Sequence, residues 1–519
     1  MESLSTKAFK KEFVTNFDGD TTGDKRSRQT PGVLYSTAMP SPVKHPELLA
    51  WSEDLAAQLG IEKPVEQKEI DILGGNAINP TMLPYAACYA GHQFGNWAGQ
   101  LGDGRAITLG EWETAGKQSW ELQLKGAGPT AYSRRADGRA VLRSSLREYL
   151  LSESMFYLEV PTTRALSLVS TGDSIVRDMF YNGNPENEPG AIVMRASPSF
   201  LRFGNFEILA ARNEVENLAK LVNYTIEKFY PHITGENKVL DWFKEVVEKT
   251  ASLMVAWTRV GFVHGVMNTD NMSILGITID YGPFSFMDDY DLNFTPNTTD
   301  LPGRRYAFGR QASVAKWNLG CLGGAIAPLF PNTDALVAIL DRYDEIYLSK
   351  FYGMMGNKLG LDELRAADYN LIRDVENLLA VLKPDMTIFY QLLMELPLEL
   401  SRAEDFTGHF KESFYTGPDH ANIENLAAVM MAYTARIKLN TIPRDESIGI
   451  MRSANPRFIL RNYLLHQAIE GIEKGDDELF VKLQSAIKNP YYRDNDEFLV
   501  KRPDWASQKA GCSMLSCSS

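Results

Sequence analysis

HGVMNTDNMSILGITIDYG, residues 264–282, places an amide, Asn271, seven positions after His264 and a carboxylate, Asp280, nine positions after the amide. Amide and carboxylate oxygens are hard donors of the kind that hold Mg²⁺ while the ion keeps several waters and binds phosphates. The segment ILGITID reads as a strand that delivers Asp280, with Tyr281 and Gly282 turning away from it. Taken alone, the same residues also fit a helix-to-strand loop closed by an Asn-Asp turn.

His-x6-Asn followed by Asp-x-Gly is the spacing of a protein-kinase catalytic loop and its metal-binding strand end. One position departs. Val266 stands where a kinase carries the Asp that accepts the hydroxyl proton, and an aliphatic side chain cannot accept it. The nearest replacement carboxylate is Asp270, beside Asn271, although an Asp there also suits a turn cap. Upstream, ITLGEWE and WELQLKG read as a hairpin turned by AGK, its second strand ending in Lys125. The helix expected over RAVLRSSLREYLLSESMFYLE presents Glu148 in its middle. A strand Lys held by a helix Glu orients the α- and β-phosphates in kinases. Either residue alone fits a solvated surface; the ordered set is what points to ATP. LGDGRA adds Gly102 and Gly104, which let backbone N–H groups approach an anion, and Arg105, which adds charge.

The bulk numbers narrow the classes. At 519 residues the chain can bury one very large core or two to three ordinary ones. It is 44% hydrophobic and 23% charged, without a repeat or low-complexity tract. A net charge of -13 argues against a nucleic-acid binder, which would carry a basic excess. No apolar run reaches membrane-spanning length, so no membrane role is expected. The start MESLSTKAFKKEF lacks a secretory core and carries early acids, so the expected location is cytoplasmic, with mitochondrial import left open.

Organisation follows from the patterning. Residues 1–84 are Pro-punctuated and turn-rich, an extension expected to wrap a domain, with one helix over PELLAWSEDLAAQLG ended by Gly60. Strand signals dominate 85–205, where ALSLVST and GAIVMRAS follow the hairpin and helix. Helical periodicity dominates 206–440, and 441–519 form a helical extension with a Cys-containing tail. The fold class expected is α+β, protein-kinase-like and two-lobed: a β-rich N-lobe, a helical C-lobe and two terminal extensions.

The chain resembles the selenoprotein O or YdiU-type protein adenylyltransferases over nearly its whole length. YAGHQFGNWAGQLGDGRAITLGE, LQLKGAGPTAYSRRADGRAVLRSSLREYL and the opening loop carry the resemblance most specifically. The late NPRFILRNYLLHQAI and SCSS also look familial. The resemblance implies a pseudokinase that binds ATP reversed and transfers AMP to Ser, Thr or Tyr hydroxyls of protein substrates. It further implies nucleotide contacts from Gly102, Gly104, Arg105 and Lys125, and a second nucleotide element at Asp137 and Gly138. It assigns a pocket pair to Arg195 and Arg202, the base to Asp270, and Mg²⁺ or Mn²⁺ to Asn271 and Asp280. Glu148 orients Lys125, and the enzyme is expected to act as a monomer. Arg134, Arg135 and Arg139 offer further phosphate-binding forks, or surface ion pairs. Transfer of UMP with Mn²⁺ at the same site, and a non-catalytic ATP-binding scaffold, remain as alternatives.

Four cysteines are too few for a disulfide framework. Cys517 matches the position of selenocysteine in some family members. In bacterial relatives it is expected to pair with a cysteine in the loop after the metal Asp, but DYDLNFTPNTTDLPG has none. Cys512 then either pairs locally with Cys517 or both are free, while Cys88 and Cys321 are expected in the core.

Overall fold

The computed structural model describes residues 1–179, 183–509, 511–512 and 514–516. It is a mixed α+β structure, sheet-rich before residue 200 and helical after it. In chain order the strands are β1 (Gly19–Asp20), β2 (Tyr35–Thr37), β3 (Glu47–Trp51), β4 (Tyr85–Ala87), β5 (Ala90–Gln93) and β6 (Asn96–Gln100). They continue as β7 (Ala106–Glu113), β8 (Ser119–Lys125), β9 (Ala140–Val141), β10 (Arg164–Arg177) and β11 (Glu186–Ser197).

The expected hairpin is β7–β8, antiparallel, with Ala106 opposite Lys125 and Glu113 opposite Ser119. It lies mid-sheet in the order β1-β2-β4-β7-β8-β11-β10-β3. Central position explains its sequence: Ile107, Leu109, Leu122 and Leu124 are fully buried. The helix Leu142–Tyr157 packs across β10 and β11, burying Leu146, Leu150 and Leu151 together with Glu148.

Two readings change. PELLAWSEDLAAQLG is not one helix: Glu47–Trp51 is β3, paired with β10, and only Glu53–Leu59 is helical. Strand pairing overrides helix propensity over the first half; Ser52 then accepts from the Leu55 N–H as N-cap, and Gly60 ends the helix at φ 73°. The 1–84 segment therefore contributes three strands to the sheet. ILGITIDYG is also no strand. Residues 273–276 form a turn, with the Gly276 N–H on the Ser273 carbonyl and Gly276 at φ 66°, and the backbone around it makes only single bridges, Ser273 with Arg202 and Thr278 with Thr162, before Asp280 turns left-handed at φ 57°.

The loop bearing Asn271 and Asp280 is held by the helical part. Helix Lys238–Val260 stops at Gly261, φ 74°. Phe262–Val263 then pairs with Ser285–Phe286, closing residues 264–284 into a loop. Inside it, the buried His264 contacts the Ile279 carbonyl through Nε2 at 3.0 Å and stacks on Trp257. The Gln311 amide donates to the Phe262 carbonyl and accepts from the His264 N–H. Among the described residues, no helix is long and apolar enough to cross a membrane.

Candidate active site

A cleft of about 660 Å³ lies between the sheet and the 264–284 loop. Its walls include Gly102, Gly104, Arg105, Lys125, Asp137, Gly138, Arg195, Asn271 and Asp280, gathered from segments up to 178 residues apart in sequence. Glu148, Arg202 and Asp270 are placed behind these walls rather than on them.

Lys125 ends β8 with its ammonium 2.5 Å from Glu148 Oε2 and 3.9 Å from Asp280 Oδ1. Glu148 also holds Arg195 at 3.1 Å. The Arg195 guanidinium in addition reaches Asp280 Oδ1 and Gln123 Oε1. Arg202 meets the other Asp280 oxygen, donates to the Asp270 carbonyl at 2.8 Å, and lies over the Tyr89 ring. Two arginines and a lysine thus converge on one carboxylate. Burial alone would raise the Asp280 carboxyl, but Arg202, Arg195 and Lys125 together hold it well below the usual carboxylate range. Burial moves Lys125 the other way, below its ordinary value, against the pull of Glu148.

Asp270 is buried behind Asn271. One oxygen accepts from Gln93 Nε2 at 3.3 Å; the other, Oδ1, is buried without a hydrogen-bond partner. It packs so closely on β5 that a Cβ on Gly91 would lie 2.7 Å from Oδ1. Burial pushes this carboxyl up to about 6, with Arg202 pulling it down. An under-bonded carboxylate raised in this way, beside a cleft lined by cations, has the chemistry of a proton acceptor.

Asn271 spends its amide N–H on the Val266 carbonyl at 2.9 Å, which leaves its oxygen for a cation. With the Asp280 carboxylate on the same cleft, this is a hard oxygen pair of the kind that suits a divalent ion bound largely through water and phosphate.

Comparison with known proteins settles the family. Residues 25–488 match the family described as protein adenylyltransferase SelO. The chain belongs to the SelO family. Similar proteins, each named protein nucleotidyltransferase YdiU, occur in Cytophaga hutchinsonii, at 60% identity over the full length of both chains. Others occur in Nitrosospira multiformis, 46% identical over 98% of this chain and 96% of that one, and in Aromatoleum aromaticum, 49% identical over 98% of each. This SelO-family chain is a nucleotidyltransferase.

Several groups that shape the SelO site were not singled out from the sequence. Asp103, between the two glycines of LGDGRA, is buried and accepts from the Ala87 N–H, the Tyr89 hydroxyl and the Gln123 amide. It pins the loop so that Gly102, at φ 125°, passes where a Cβ would strike Tyr132. The signal was its place inside the motif. Arg177, which holds Asp137 through two hydrogen bonds, lies in β10 with no local pattern to mark it. Gly138 needs φ 69°, and a Cβ there would sit 2.2 Å from the Gly128 carbonyl carbon. Gly138→Ala is accordingly expected to lower stability by about 1–3 kcal/mol, read as a shifted urea midpoint. An unchanged midpoint would mean the turn is not held this way.

Cys88 is buried as expected, Cys321 is only half-buried, and Cys512 is a free buried thiol. Cys517 lies outside the described residues, and its pairing with it.

Proposed function

We propose that this SelO-family enzyme transfers AMP from ATP to Ser, Thr or Tyr hydroxyls of proteins, on a kinase-like two-lobed fold that binds ATP reversed. Residues 85–205 are read as the nucleotide lobe and 206–440 as the catalytic lobe. The observation that carries the reading is the cation content of the cleft. Arg105, Arg134, Arg135, Arg139, Arg177 and Arg195 line it together with Lys125. A kinase orientation would put adenine in an apolar slot there, whereas guanidinium forks suit the β- and γ-phosphates of a reversed nucleotide.

In this reading Asn271 and Asp280 hold Mg²⁺ or Mn²⁺, which when bound supplies charge neutralisation at the phosphates. Lys125, fixed by Glu148, and Arg105 with the Gly102–Gly104 backbone bind the phosphate next to the reacting one. Asp270 takes the proton of the acceptor hydroxyl that attacks the α-phosphorus; pyrophosphate leaves, held by the arginines. Asp270 needs to reach only the neighbouring cleft, and catalytic hydrogen bonds commonly tighten on substrate binding. The relatives' name leaves the nucleotide open, so UMP transfer is the second reading, and the mass added to an acceptor decides between them.

Arg195 provides the test of orientation. It lines the cleft, while Arg202 stands behind it and acts through Asp280. Arg195→Ala is expected to weaken ATP binding by roughly 1.5–3 kcal/mol and AMP binding far less, measured by calorimetry. Equal losses for both nucleotides would place the arginine on the nucleoside or in the fold.

A further inference from the structure

A group of side chains able to ligate a metal lies outside the cleft, none of them among its lining residues. His92 of β5, Glu207 of helix Phe203–Ala211 and Cys321 of helix Gln311–Ile326 present ligand atoms all within 4.8 Å of one another. We infer that His92, Glu207 and Cys321 form a binding site for a thiophilic divalent cation, zinc by its chemistry, distinct from Asn271 and Asp280.

The donor set is the first argument. One imidazole, one carboxylate and one thiolate are typical zinc donors, and three protein ligands leave a position for water. Mg²⁺ takes oxygen and has little affinity for sulfur, so this set discriminates against the ion expected in the cleft. Spacing is the second. In a tetrahedral site with bonds of about 2.0–2.3 Å, ligand atoms stand roughly 3.3–3.8 Å apart, so side-chain shifts of up to about 1 Å seat the ion. The His92 Nδ1 to Glu207 Oε1 contact of 2.6 Å opens by some tenths of an ångström in that adjustment.

Glu207 supplies an independent observation. Its side chain is 3% exposed, and Oε2 makes no hydrogen bond within 3.5 Å, the Thr269 hydroxyl facing the carboxylate from beyond that distance. A buried carboxylate oxygen left without a donor is costly unless a cation or proton completes it. Burial pushes the Glu207 carboxyl up, opposed by the Thr269 hydroxyl and His92. Burial likewise raises the Cys321 thiol, with Glu207 adding to it and Arg305 opposing. Arg305, stacked on Trp317, is an adverse charge facing the site, and Lys316 lines the hollow beside Cys321; both disfavour a dication, while Arg305 favours the thiolate the ion needs. Binding forms a metal–sulfur bond as the S–H proton passes to water.

An entry path exists. Cys321, Trp317 and Lys316 line a surface hollow of about 440 Å³, and the His92 ring lies between Trp97 and Trp317. The site would tie two helices to β5, whose His92 N–H donates to Thr269 Oγ1 at 2.7 Å, next to Asp270.

The test is titration of chelator-treated full-length protein with Co²⁺, followed by visible absorption. One equivalent is expected to give tetrahedral ligand-field bands and a sulfur-to-cobalt charge-transfer band, displaced by Zn²⁺. Oxygen donors at Asn271 and Asp280 cannot produce the charge-transfer band. Cys321→Ser should abolish it, and His92→Ala and Glu207→Gln should each weaken cobalt binding at least tenfold, consistent with loss of one ligand. Metal-free melting curves check that each variant folds; if His92→Ala does not, Cys321→Ser and Glu207→Gln decide. No charge-transfer band at one equivalent, or a band surviving in Cys321→Ser, would overturn the assignment. So would a band lost in Cys321→Ser whose affinity neither other variant changes.

Discussion

Asp280→Ala is expected to slow nucleotide transfer at least about a hundredfold, equivalent to ~3 kcal/mol of lost electrostatic stabilisation. The carboxylate has two tasks in the proposed reaction: it is the anionic ligand of the divalent ion, and it neutralises Arg195, Arg202 and Lys125 before substrate arrives. The second task yields a separate expectation. Without Asp280 the guanidinium of Arg195 loses a competitor for phosphate, so the variant should bind ATP more tightly than the parent in the absence of metal. Some stability is lost as well, because breaking a buried ion pair leaves charge uncompensated. Arg195 keeps Glu148 and Arg202 keeps the Asp270 carbonyl, which limits that loss. Initial rates, metal-free calorimetry and a melting curve separate the three effects. A variant keeping more than about a tenth of the rate would show that the ion is held elsewhere.

Asp270→Ala is expected to reduce turnover by about 10²–10⁴-fold, the usual contribution of a general base. ATP affinity should change little, since Asp270 does not line the cleft. Stability should move the opposite way from activity. The carboxyl is raised in the folded state, to about 6. A group whose folded pKa exceeds its unfolded value of about 3.9 destabilises the fold once pH rises above that unfolded value, by an amount that is fully developed above the folded pKa. At neutral pH the burden is on the order of 3 kcal/mol. Removing a buried carboxylate with an unbonded oxygen should therefore leave the melting temperature unchanged or higher, the pattern of a residue kept for chemistry. A slow variant that also melts several degrees lower would mark Asp270 as a structural cap instead.

What could be read from the sequence was local and ordered along the chain. The β7–β8 hairpin and the helix bearing Glu148 carry clear periodicities, and both formed where expected. Lys125 at a strand end, Glu148 in mid-helix and Asp280 by motif spacing are each legible separately, and the fold brings them together. The rest depended on tertiary pairing. ELLAW has the composition of a helix start, but the edge of β10 took it as a strand. The segment before Asp280 has strand-like residues but no neighbouring strand to form a ladder with, so it breaks at a turn with Gly276 at φ 66° and makes only isolated bridges. Convergence of Arg195 and Arg202 on the same carboxylate has no sequence signature at all, because it depends on how β11 approaches the 264–284 loop.

The central claim is that the α-phosphorus, not the γ-phosphorus, is attacked. Incubating the enzyme and a protein acceptor with Mg²⁺ and ATP labelled at one position or the other tests it directly. Label on protein from α-labelled ATP alone, with γ-label released as pyrophosphate, is the predicted result; label on protein from γ-labelled ATP alone would contradict it and make the enzyme an ordinary kinase.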